Sequence, residues 1–181
     1  IGGRWALAVA FSSDNGRSWR RYLDANPSCD NYEAHLAYAG GKVHGAYVSN
    51  SSGQNEVYYR RWSERGGLEV DWRRASDDGG CLDTCIEASD ALSLSVYYRH
   101  EDQPEPSIYQ SYTLDGGLTW HRQLRIYTHS VESSWPECVR YGSHVTLVCQ
   151  GFFGSNYAVQ FTNYNGSSWT APNSYTGATG G

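Results

Sequence analysis

Apolar and polar residues alternate along this chain in short runs, broken by stretches rich in Gly, Asn, Asp and Ser. A period of two marks a strand with one buried face, and no stretch sustains the period of a helix. The alternation predicts an opening pair of strands over 5–11 and 19–23. Three groups of four follow: 33–39, 42–49, 56–62 and 71–75; 85–89, 92–99, 107–112 and 121–127; 137–141, 144–150, 157–162 and 170–175. The stretches between them, among them 24–31, 76–84, 100–106, 128–136 and 151–156, read as loops. The prediction is an all-β chain.

One eight-residue turn recurs between the strands. Ser12-Ser13-Asp14-Asn15-Gly16-Arg17-Ser18-Trp19 and Thr113-Leu114-Asp115-Gly116-Gly117-Leu118-Thr119-Trp120 share one order of hydroxyl, Asp, Gly, hydroxyl and Trp. Each part has a physical role. Glycine takes the positive φ of a tight turn at little steric cost. The hydroxyl and carboxylate close the turn on its own amides. The Trp is placed to fold back as an apolar plug beneath the hairpin. The stretch from Thr162 through Gly166 to Trp169 keeps this order except at the Asp position, where Tyr164 stands. Ser63-Glu64-Arg65-Gly66-Gly67-Leu68 puts Arg65 there and reaches Trp72 late. Trp19, Trp72, Trp120 and Trp169 are 53, 48 and 49 residues apart, so one supersecondary unit is repeated.

The octapeptide S/T-x-D-x-G-x-S/T-W resembles the Asp-box, or BNR repeat, of the sialidase (neuraminidase) superfamily and of other β-propellers. The resemblance implies a β-propeller of four-stranded antiparallel blades, about three and a half of them here, in a ring of about six or seven. The expected division is a partial blade over 1–24, blades over 25–75, 76–127 and 128–175, and a linker or tail over 176–181. Further blades would come from a longer chain or an oligomeric partner, because proteins avoid raw sheet edges. A chain that opens inside an apolar run without Met fits a processed product or part of a longer polypeptide.

In that family the boxes are structural turns on the side away from the ligand. The implied ligand side holds the loops entering each blade and those between its second and third strands. The candidates there are Arg99, His100, Glu101, Asp102, Glu132, Trp135 and Glu137, with Asp30, Glu33, Asp77, Asp78, Asp83 and His129 nearby in the same loops. Acids, a few bases and an exposed Trp suit a sugar, whose rings stack on aromatics while carboxylates take its hydroxyls. The resemblance further offers Arg99 as a substrate-carboxylate arginine and Glu87 as the acid beside a tyrosine nucleophile. The remaining arginines, acid and nucleophile of a sialidase cannot be assembled from this sequence. The expected function is carbohydrate recognition, non-catalytic on its own. The alternatives are a part of a sialidase-like exo-glycosidase and a structural subunit of an extracellular complex.

Composition narrows the partners. The net charge is −5 with no basic run, which argues against nucleic acid. No apolar run approaches the roughly 18 residues of a membrane helix. The cysteines at 29, 81, 85, 138 and 149 suggest disulfides, Cys138–Cys149 across the turn at 141–143 and Cys81–Cys85 across a short loop, with Cys29 left over. With the sequons at Asn50 and Asn165, they point to an extracellular or cell-surface protein. No metal site is expected, since His35, His44, His121 and His144 stand at no ligand spacing. Asp77-Asp78-Gly79-Gly80 offers oxygens for Ca²⁺, but a polar turn is the simpler reading.

Overall fold

A computed structural model describes residues 5–24, 28–101, 106–126, 132–153 and 156–175. Among these are fourteen strands and no helix. Strands β1 (Leu7–Phe11) and β2 (Arg20–Asp24) form a two-stranded sheet. Three four-stranded antiparallel sheets follow in simple meander order. The first holds β3 (Asn31–Ala39), β4 (Lys42–Ser49), β5 (Glu56–Ser63) and β6 (Leu68–Arg74). The second holds β7 (Cys81–Ala88), β8 (Leu94–His100), β9 (Ser107–Thr113) and β10 (His121–Arg125). The third holds β11 (Glu132–Tyr141), β12 (His144–Phe153), β13 (Asn156–Tyr164) and β14 (Asn173–Tyr175). The expected tail over 176–181 lies outside the described residues.

The sheets stack face to face in chain order, so the central strands β4, β5 and β8 are buried on both faces, whereas β13 of the last sheet buries only one. Leu7 and Val9 meet Tyr47, Tyr58 and Trp62 at the first contact. Ala46, Val57 and Tyr59 meet Ile86, Val96 and Tyr98 at the second. Cys85, Tyr97 and Ile108 meet Val145, Leu147 and Cys149 at the third. The first strands of the three large sheets, β3, β7 and β11, run side by side.

The eight-residue turns close on themselves as their residue types require. In the β9–β10 turn, Asp115 Oδ1 accepts from Thr119 N–H at 2.9 Å and Oδ2 accepts the Thr119 hydroxyl at 2.6 Å. Thr113 Oγ1 accepts from Gly117 N–H at 3.1 Å. The β1–β2 turn repeats this: Ser18 donates to Asp14 through N–H at 2.8 Å and Oγ at 2.6 Å, and Gly16 N–H donates to Ser12 Oγ at 2.7 Å. These bonds hold both carboxyls below the usual carboxylate range. In the β5–β6 turn, Ser63 Oγ still accepts from Gly67 N–H at 3.0 Å. In the β13–β14 turn, Asn165 Oδ1 stands in for the carboxylate, accepting from Ser167 and Ser168 N–H, both at 3.0 Å. Two of the tryptophans reach beyond their own hairpins. Trp120 and Trp169 each lean on the preceding sheet, edge to face with Tyr59 at 5.3 Å and with Tyr97 at 5.8 Å.

All five cysteines are free, which corrects both expected disulfides. Cys138 faces Leu147 and Cys149 faces Gln160, so the two are out of register across their hairpin. Cys81 and Cys85 lie on one extended strand, about 13 Å apart, where a disulfide tolerates about 7 Å between Cα atoms.

Candidate functional site

The ends of the sheets opposite the eight-residue turns are built around three bulges. Each first strand carries one residue in the left-handed region: Glu33 (φ 52°) in β3, Asp83 (φ 49°) in β7 and Trp135 (φ 50°) in β11. The pairing register shifts at the same places, between Tyr32 and His35, Leu82 and Thr84, and Ser134 and Glu137. A non-glycine residue there is strained and needs outside support. The support comes from the neighbouring sheet. Glu33 Oε2 accepts from Asp83 N–H at 2.6 Å, and Thr84 Oγ1 donates to the Glu33 carbonyl at 2.7 Å. Asp83 Oδ2 in turn accepts from Trp135 N–H at 3.2 Å. Each carboxylate thus clamps the next sheet's bulge.

Arg99, near the end of β8, lies over this chain of clamps. Its guanidinium is 2.9 Å from Glu101, 3.6 Å from Asp83 and 3.9 Å from Glu132. Three carboxylates therefore share one cation. Burial pushes the Glu33 carboxyl above its ordinary range, against the pull of Asp83 N–H.

A cleft of about 520 Å³ lies elsewhere, between the second and third sheets, but the larger one opens beside Glu33. It measures about 810 Å³ and is lined by Trp5, Asp30, Tyr32, Glu33 and Asn50 among others. Its wall is tied down: Asp30 Oδ1 accepts from Trp5 N–H at 2.8 Å, and Asn50 Oδ1 accepts from Asp30 N–H at 2.8 Å. Trp5 is 72% exposed, an aromatic surface free to stack. Tyr32 joins the cleft to the Arg99 group: burial, then the nearby charges of Glu33, Asp30 and Glu101, raise its hydroxyl pKa.

The loop candidates divide on this geometry. Arg99, Glu101 and Glu132 come together, and they do so around Asp83 and Glu33. Trp135 joins through its backbone, while its ring lies with Glu137, Tyr157 and Tyr175 in a hollow on the third sheet. His100 is buried below, Nε2 2.9 Å from Asp78, its ring edge-on to Tyr109. Asp102 and His129 lie outside the described residues. Glu87 does not accompany Arg99. Arg99 pairs with Leu82, and Glu87 sits five residues further along β7, about 17 Å away. There both its oxygens meet the Arg140 guanidinium, and one lies 3.5 Å from the Tyr97 hydroxyl. Asp77 and Asp78 engage separate partners, Arg122 at 3.1 Å and His100, rather than converging on a common point. Trp5 and Tyr32 carry no motif: in sequence Trp5 reads only as the start of a strand, and Tyr32 falls between a loop and the next strand.

No protein-family description matches the chain, and no curated protein does. Solved structures do. One is a subtype N10 neuraminidase-like protein of A/little yellow-shouldered bat/Guatemala/060/2010, with a TM-score of 0.53 and 8% identity over 80% of this chain and 44% of that one. Another is Zg3597, a family 117 glycoside hydrolase from the marine bacterium Zobellia galactanivorans, with a TM-score of 0.55 and 10% identity over 88% and 58%. At such identity the likeness shows the fold alone, a propeller-like stacking of four-stranded antiparallel sheets. The chain spans about half the length of these structures.

Proposed function

We propose that this chain is part of a secreted or cell-surface Asp-box β-propeller that recognises carbohydrate and is non-catalytic on its own. The observation that carries the reading is the mouth formed by Trp5, Asp30, Tyr32, Glu33 and the Arg99–Asp83–Glu101–Glu132 group. Aromatic rings beside carboxylates suit a sugar's apolar face and hydroxyls. With three carboxylates around Arg99, the mouth suits neutral or amino sugars better than a sugar that itself carries a carboxylate. The resemblance to a glycoside hydrolase and a neuraminidase-like protein supports the same substrate class. Further blades complete the ring, covering the exposed Val139, Tyr141, Tyr157 and Val159 of the third sheet.

A glycan array probed with the full-length protein tests this. Binding to neutral or amino glycans is expected, weakened about tenfold by Trp5→Ala through loss of stacking. An array without signal, or binding that survives Trp5→Ala and Asp83→Asn together, overturns it. The second reading, a sialidase-like exo-glycosidase, draws on the place of Arg99 at the end of β8, before the strand that leads into a complete box. Turnover of a fluorogenic sialoside, abolished by Arg99→Ala, would promote it.

A further inference from the structure

The third inter-sheet contact holds two thiols from different sheets. Strands β7 and β11 run parallel, fixed at one end by Asp83 accepting from Trp135 N–H and at the other by Glu87 on Arg140. Residues two apart on a strand share a face. One step back from Glu87 on β7 is Cys85, and one step back from Arg140 on β11 is Cys138. The pair Cys85/Cys138 is therefore the rung beside the Glu87/Arg140 rung. The packing agrees, because Cys138 lies against the apolar cluster that contains Cys85. Burial, and next the Cys138 sulfur, push the Cys85 thiol well above its ordinary range. Both cysteines are free.

We propose that Cys85 and Cys138 are the site of an oxidative cross-link that staples the second sheet to the third. The oxidant is a small-molecule disulfide such as oxidised glutathione. The half-buried Cys138 loses its proton and attacks one glutathione sulfur, expelling glutathione thiolate and leaving a mixed disulfide. Cys85, deprotonated in turn, attacks the Cys138 sulfur and expels the second glutathione thiolate. Two thiols have then lost two protons and two electrons, and the oxidant has become two thiols. The buried Cys85 is the slow partner, so the second step quickens as pH rises. The staple would join residues 53 positions apart, a separation at which a cross-link constrains the unfolded chain effectively.

The test exposes the full-length protein to oxidised glutathione at neutral and mildly alkaline pH, followed by non-reducing tryptic mapping. Tandem fragmentation must place any bridge at Cys85 rather than Cys81, which shares its peptide. The expected result is glutathione on Cys138 at early times, then a Cys85–Cys138 bridge that forms faster at higher pH. The melting midpoint should rise by roughly 5–15 °C on oxidation, and not in Cys138→Ala. Cys138→Ala replaces a half-buried group and tests the idea even if Cys85→Ala misfolds. A bridge of Cys138 to Cys149, or glutathione that stays on Cys138 at every pH, overturns the proposal.

Discussion

The two complete eight-residue turns share a motif and a set of internal hydrogen bonds, yet they sit in opposite surroundings. The β1–β2 turn stands in solvent: Trp19 is 63% exposed and its indole N–H folds onto Gly16 C=O at 3.1 Å. The β9–β10 turn is docked into the preceding sheet. Gly116 C=O accepts from the Tyr59 hydroxyl at 3.2 Å and from Arg61 Nη1 at 3.1 Å, while Gly116 N–H donates to Leu92 C=O at 2.8 Å. Trp120 packs on the cluster between those sheets. The motif thus specifies a local conformation, and the neighbouring sheet decides how much that conformation is worth.

The comparison is sharpest at the glycines. Gly16 (φ +84°) and Gly117 (φ +89°) hold the same place in the motif, and a Cβ on Gly16 would come only within 3.8 Å of Trp19. On Gly117 it would meet the Tyr59 ring at 2.0 Å. Gly16→Ala should therefore cost only the left-handed strain of a Cβ, about 1–2 kcal/mol. Gly117→Ala adds overpacking and should cost about 2–5 kcal/mol in chemical denaturation. Equal losses would mean the docking contributes nothing.

The tryptophans come next. Trp120→Ala empties a half-buried site against Tyr59 and should cost about 3–4 kcal/mol. Trp19→Ala removes a largely exposed ring and should cost about 1 kcal/mol or less. A Trp19 variant as damaged as the Trp120 variant would show that β1 and β2 are covered in the intact protein by something outside the described residues.

Docking also ties one turn to a titrating group. The Tyr59 hydroxyl that reaches Gly116 lies 2.8 Å from Nδ1 of buried His44. Burial lowers the His44 pKa from 6.5 to about 4. Between those values the unfolded chain binds the proton that the fold refuses, so stability falls as pH drops from 6.5 towards 4, by up to roughly 3 kcal/mol, and this contribution levels off below. His44→Gln should flatten that stretch of the stability–pH curve. An unchanged slope would assign it to other groups.

These contrasts also explain what was legible in the sequence. The turns could be read because their partners lie within four residues, as Asp115 and Thr119 do. Strands β4 and β9 could be read because each is a short run rich in β-branched and aromatic residues, β4 bounded by turn residues on both sides and β9 leading into one. The bulged stretches Cys81–Asp83 and Glu132–Pro136 read as loops, because Asp and Trp-Pro interrupt the alternation where β7 and β11 in fact continue. Their supporting bonds come from about 50 residues away, as between Glu33 and Asp83. The same distance hid the facing of Cys85 and Cys138, since spacing alone favoured near neighbours on one strand or across one hairpin. The separation of Glu87 from Arg99 was hidden as well, because residues 12 apart in the chain stand at opposite ends of the adjacent strands β7 and β8.

The smallest expected difference lies in the aspartates, where the two turns should behave alike. Asp14 and Asp115 accept the same bonds from the following hydroxyl residue, so Asp14→Ala and Asp115→Ala should each lower the melting midpoint modestly and to a similar degree. Docking should matter little, because both carboxylates bond within their own turn. Their folded pKa values lie below the ordinary 3.8. The stabilisation is therefore fully present above that value and is lost as pH falls through the lowered folded pKa. At pH 7 each substitution should show its full effect, and as pH falls below 3.8 the gap between each variant and the parent should narrow. Glycan binding should not change in either, since both turns lie at the end of the sheets away from Arg99 and Trp5. A melting series with a glycan array on the same samples decides this. Loss of binding in Asp115→Ala at unchanged melting would move the ligand to the turn end and away from the proposed mouth.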